Sequence, residues 1–172
     1  MNRTLGIQTL TGVAQPVFGD VTTAAVLIPL STQDAVITVA NTAIYQVGDR
    51  LVLEPGTSNQ DSYKVSTILS STTLQCSLEG AKGHAHASGV TIVISFACSE
   101  LVVQAVYGTN GSIWVAADKT VTSAGAGNVI FQVTPNLPFH KYPSGANNPI
   151  NTAEYWMAAT SGIQGIVAAT VV

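Results

Sequence analysis

The sequence predicts an all-β protein of two small β-barrel or β-sandwich domains with an extended N-terminal arm. Apolar residues recur at every second position in short runs, and helical spacing is almost absent. β-Branched residues dominate those runs, and their stiff side chains fit a pleated strand better than a helix. Gly, Pro, Asn, Ser and Asp break the runs about every 8 to 12 residues, the turn spacing of small barrels and sandwiches.

Residues 1–20, "MNRTLGIQTLTGVAQPVFGD", are expected as the arm: turn-formers Gly6, Gly12, Pro16 and Gly19 punctuate its apolar residues. Such a segment builds no core of its own and should order only against something else. Its Leu5, Ile7, Leu10, Val17 and Phe18 are therefore candidate partner-binding residues. Residues 21–99 carry strand-like runs in order: "TTAAVLIPL", "DAVITVA", "IYQVGDRLVLE" with a bend at "VGDR", "DSYKVSTIL", "TTLQCSL" and "GVTIVISFAC". Leu51 and Leu53 should share one face, and a polar "SS" turn should join the fourth and fifth runs.

Residues 100–172 form the second set. "LVVQAVY" is expected to turn at "GTNGS" into "IWVAA", because Asn110-Gly111 is a strong hairpin signal. "KTVTS" should turn at "AGAG" into "NVIFQVTP". "NLPFHKYPSGANNPIN" holds three prolines and few strand formers and is expected as an irregular surface excursion. "AEYWMAAT" and "IQGIVAATVV" should make a last hairpin around "SG".

Charged residues are 9% of the 172 and hydrophobic ones 47%, where about 25% charged is usual. No run reaches the ~18 apolar residues of a spanning helix, and no signal-peptide core is visible, so a soluble protein without membrane contact is expected. The six Lys and Arg stand singly and the net charge is −3, which leaves no basic stripe for nucleic acid. So little charge covers a free monomer poorly, and a homo-oligomer is expected. Cys76 and Cys98 sit in alternating apolar runs and read as small buried hydrophobes; a disulfide between adjacent strands is the alternative.

The segment "EGAKGHAHASGV", residues 79–90, holds two of the three histidines. In a strand His84 and His86 would share a face and could share a metal, but a metal site usually wants three or four ligands. The third, His140, lies in the Pro-rich excursion. Glycines flank the pair, so a loop with exposed polar tips is expected, with no metal, no cofactor and no catalytic role. Glu54, Asp61 and Glu79 fall near turns and read as solvated acids. No Gly-x-Ser-x-Gly elbow, His-Glu-x-x-His helix or phosphate-cradling loop occurs. Trp114, Tyr155 and Trp156 read first as core; Tyr155 and Trp156 point to opposite faces, and Trp156 joins the candidate partner-binding residues.

The motifs "YQVGDRLVLE", "YKVSTILSSTTLQC" and "GHAHASGVTIVIS" resemble a β-module of tailed-bacteriophage head and tail proteins. "SIWVAADKTVTSAGAGNVIF" and the segment "LTGVAQPVFGD" resemble parts of capsid decoration, or cement, proteins. The resemblance implies a non-enzymatic virion structural protein that binds the assembled major capsid protein shell, often as a trimer. It would sit on the capsid surface of particles assembled in the host cytoplasm. A tail, neck or fibre component is the alternative, and a carbohydrate-binding β-module the third.

Overall fold

The computed structural model describes residues 2–4, 8–27, 34–80, 83–106, 111–135, 139–143, 149–160 and 163–171. The protein is all-β. In chain order the strands are β1 (Asn2–Thr4), β2 (Gln8–Thr9), β3 (Gln15–Pro16), β4 (Gly19–Val21), β5 (Ala35–Thr38), β6 (Arg50–Leu53), β7 (Asp61–Ile68) and β8 (Thr73–Leu78). They continue with β9 (Thr91–Ser95), β10 (Ala97–Ala105), β11 (Ile113–Ala116), β12 (Val129–Val133), β13 (Phe139–Pro143), β14 (Ile150–Asn151), β15 (Trp156–Ala159) and β16 (Gln164–Val171). Among the described residues the only helical turns are 3-10 turns at Thr42–Ile44 and Thr152–Glu154, each capped by an Asn side chain. Two compact units divide the chain: residues 19–95 form one, and residues 1–18 with 96–172 form the other.

The 19–95 unit is one antiparallel sheet of order β4-β9-β6-β7-β8-β5. Its buried residues follow the alternation seen in the sequence: Leu51 and Leu53 on β6, Tyr63 and Val65 on β7, Leu74 and Cys76 on β8. The sheet curls on itself, because Thr23 N–H donates to the Thr38 carbonyl at 2.8 Å and so joins the two ends of the strand order. "TTAAVLIPL" departs from expectation: after β4 the chain makes only an isolated bridge, Val26 with His86, and residues 28–30 lie outside the described ones.

The second unit has two sheets. One places β16 between β1 and β10, with β2 also on β16 and both β13 and β14 on the far edge of β10; the other has the order β12-β11-β15-β3. Leu101, Val103, Val167 and Ala169 of the first are buried, as are Ile113, Val115, Val133 and Met157 of the second. Phe131 of β12 stacks on Tyr142 of β13 with centroids 5.7 Å apart, so the end strands of the two sheets meet.

Four expectations for this half fail. β10 and β11 lie in different sheets, so the Asn110-Gly111 hairpin does not form; that turn itself falls mostly outside the described residues. β15 and β16 also separate into different sheets, so there is no last hairpin. "KTVTS" is loop: it folds back so that Val121 packs with Ala116 and Ala158 beside Trp114 and Trp156. Part of the Pro-rich excursion is strand instead, because the exposed edge of β10 offers Phe139–Pro143 a ladder of five residue pairs. Gly125 holds the folded-back loop, with φ +77 and its Cα so placed that a Cβ would lie 2.7 Å from Trp114 Nε1. Gly125→Ala should cost roughly 2 kcal/mol from left-handed strain alone. A lowered melting temperature with a shifted tryptophan emission is the expected result; unchanged values would show the loop lifts freely off Trp114.

The N-terminal segment is no free arm. β1 and β2 pair with β16, and β3 pairs with β15. Leu10, Val17 and Phe18 are at most 1% exposed. Leu10 N–H donates to the Ile163 carbonyl at 2.7 Å and Val17 N–H to that of Tyr155 at 3.0 Å. Neighbouring strands supply the ordering contacts that the segment lacks by itself, so a short, turn-rich run becomes core. The chain leaves this unit after Phe18 and returns at Phe96, and the two rings meet edge to face at 4.9 Å with the Arg3 guanidinium 4.3 Å above Phe96.

Candidate functional site

The polar cluster of the 19–95 unit centres on Asp61. Asp61 opens β7 opposite Leu53, and strand alternation turns its side chain to the same face as Tyr63 and Val65. It is thereby buried, not solvated as the sequence suggested. The segment after β8 then crosses it. Gly83 passes so close that a Cβ there would stand 3.3 Å from Asp61 Oδ2. His84 N–H donates to Oδ2 at 2.6 Å, and the His84 ring meets Oδ1 through Nδ1 at 2.9 Å. His86 Nε2 meets Oδ2 at 2.9 Å, and Tyr63 O–H donates to the same oxygen at 3.4 Å.

Burial pushes the Asp61 carboxyl up, but donation from the His84 backbone and both imidazoles outweighs it and holds the group below its ordinary value. An ionised carboxylate only accepts, so His84 Nδ1 and His86 Nε2 carry the protons. Burial first, then the Asp61 charge, raises the Tyr63 phenol above its ordinary value.

The two histidines are thus unlike each other, and the expectation of two exposed loop tips fails for one of them. The His84 side chain is 41% exposed; the His86 ring is 0% exposed and its backbone bonds Val26 in both directions at 2.9 Å. Sequence alternation alone put both rings on one face. Burial of His86 came from Val26 and Asp61, 60 and 25 positions away in the chain. Glu54 completes the cluster: its Oε1 lies 3.7 Å from His86 Nδ1, and its φ of 49 makes it the one non-glycine described residue in the left-handed region.

A carboxylate-oriented imidazole such as His84 has the form of a general base. Among the described residues no hydroxyl or thiol is hydrogen-bonded to its free nitrogen, so the arrangement lacks a nucleophile. Both thiols are free: burial pushes Cys76 up to about 12, with the Asp34 charge adding, and Cys98 up to about 11. Both behave as small apolar side chains. A second polar pair, Tyr45 O–H donating to Asp20 Oδ2 at 2.9 Å, ties β4 to the turn before β6; burial raises both groups above their ordinary values.

The expected partner-binding residues scatter. Leu5 and Ile7 lie outside the described residues. Leu10, Val17 and Phe18 face the core. Trp156 is half-buried beside Val121. Large apolar side chains outside that candidate set are exposed instead: Val13 and Leu27 at 74% and 79%, with Val36, Val47 and Leu69 also more than half exposed. Val36 lies on β5, which ends the strand order of its sheet and carries neither charge nor proline. His140 belongs to β13, in the unit that does not hold Asp61.

No family model matches the chain, and no curated protein does. Among solved structures it is similar to VP17, a capsid protein of bacteriophage P23-77, over 99% of this chain and 77% of that one, at 11% identity and a TM-score of 0.22. The VP16–VP17 complex of the two major capsid proteins of the same phage gives the same identity and TM-score, over 99% and 79%. Traces that superpose this poorly carry no argument about what the chain does.

Proposed function

We propose that this chain is a non-enzymatic structural protein of a tailed-phage virion, a decoration protein that binds the assembled major capsid protein shell as a trimer. The sequence motifs quoted above support the reading, as does the charge-poor composition. The observation that carries it is the edge strand β5. Thr23 N–H covers one end of its outer edge at the Thr38 carbonyl; the rest of "AVIT" has no Lys, Pro or bulge of the kind that normally blunts an edge, and Val36 stands 52% exposed on it. Such an edge suits strand addition to a partner. Trp156 remains a candidate contact on the other unit.

The test is the mass stoichiometry of purified particles together with Val36→Lys. Copies in the hundreds support the capsid reading; about six or twelve, a ring or spike symmetry, move the chain to tail or neck. Val36→Lys should leave the melting temperature unchanged and weaken attachment tenfold or more, about 1.4 kcal/mol. Full-strength attachment of that variant means another surface binds the shell.

A further inference from the structure

We propose that Glu54 and His86 form a binding site for a divalent transition-metal ion, zinc(II) or a first-row ion like it, held between Glu54 Oε1 and His86 Nδ1. Asp61 sets the tautomer: as an acceptor it keeps a proton on His86 Nε2, so in the neutral ring Nδ1 presents a lone pair. That Nδ1 is buried and has no hydrogen-bond partner. It faces the carboxylate oxygen of Glu54 at 3.7 Å, so with a neutral ring two electron-pair donors oppose each other.

The separation suits an ion held between the two atoms. A charge-assisted hydrogen bond would draw the atoms to about 2.8 Å. Two ligands of a tetrahedral zinc, each about 2.1 Å from the ion, stand roughly 3.4 Å apart. The observed distance lies a few tenths from the second value and almost a full ångström from the first.

The surroundings are those of a ligating pair. A histidine ligand commonly gives its other N–H to a carboxylate, which fixes the ring and strengthens the donor nitrogen; Asp61 does this for His86. Glu54 is held in its left-handed conformation by N–H donation to the Thr91 carbonyl at 3.0 Å, and its own carbonyl accepts from Thr57 N–H and Oγ1. Its side chain is 20% exposed, so the pair meets solvent on the Glu54 side, where waters would complete the ion's shell. Among the described residues no third His, Cys, Asp or Glu joins the pair. The ion is therefore exchangeable and its role structural: it would clip the turn after β6 to the segment that carries His86.

The full chain, stripped with chelator and dialysed, is titrated with zinc chloride by calorimetry, and its melting temperature is followed with and without zinc. One equivalent per chain and a raised melting temperature are expected. Glu54→Gln should weaken zinc binding at least tenfold while the metal-free melting temperature stays close to the parent's. His84→Ala should bind zinc as the parent does. No binding up to millimolar zinc overturns the proposal, including the case where acidification alone raises the melting temperature and a proton fills the gap. Binding undiminished in Glu54→Gln, or lost in His84→Ala, overturns it as well, because the ion then sits on the exposed imidazole.

Discussion

Deletion of residues 2–18 should unfold the 96–172 half of the protein and leave residues 19–95 folded. The truncation removes Leu10, Val17 and Phe18 from the interior. Each such side chain contributes about 1.5–3 kcal/mol by burial, so the three together approach the 5–15 kcal/mol that is the whole stability of a typical domain. It also strips β1 and β2 from one side of β16 and β3 from β15, which exposes unpaired backbone along both strands. Phe96 loses its ring partner Phe18 and its cation partner Arg3 at the same time. The 19–95 sheet has its own buried residues and takes no strand from the deleted segment. Limited proteolysis of the truncated protein should yield one resistant fragment close to residues 19–95. A soluble truncation with parental melting temperature and an intact C-terminal half would show that the segment is a detachable arm after all. Phe18→Ala is the milder form, with an expected loss of about 3–5 kcal/mol.

Asp61→Ala should cost about 3–5 kcal/mol, from two buried donors left without an acceptor at about 1–3 kcal/mol each. Four donors lose their acceptor, and two of them, the His86 ring and the Tyr63 hydroxyl, are buried where water does not replace it. For a unit of this size the loss lowers the melting temperature by on the order of 15 °C or more. His86→Ala should also be strongly destabilising, since it opens a cavity and leaves Asp61 without one of its donors, whereas His84→Ala gives up a half-exposed ring and should be mild. The pH dependence follows from the lowered carboxyl. A group whose folded-state value lies below its unfolded value near 3.8 stabilises the fold fully above that value and loses the contribution as pH falls through the folded one. The stability gap between the parent and Asp61→Asn should therefore be flat above about pH 5 and shrink below about pH 4. Chemical denaturation at several pH values measures it. Equal stability of parent and Asp61→Ala at neutral pH, or a gap that widens in acid, would show that Asp61 does not anchor the segment.

The sequence by itself determined the all-β class and most strands of the 19–95 unit. β5, β6, β7 and β8 all fall inside runs read from alternation, and the turn at Ser70 and Ser71 joins β7 to β8 as its residues indicate. These features are local: a side chain's face repeats every two residues, and turn chemistry acts within four. The tertiary structure alone decided which strands pair and what is covered. β16 pairs with β1 from the opposite end of the chain, and β10 takes Phe139–Pro143 in place of the hairpin partner that Asn110-Gly111 suggested. Phe18 became core because of β15 and Phe96, and His86 became an interior ligand of Asp61 because Val26 and β7 enclose it. Alternation places residues on a face but carries no information about which strand will cover that face. Pairing between distant strands is chosen by the joint burial of both partners, and so is the environment of every polar group caught between them.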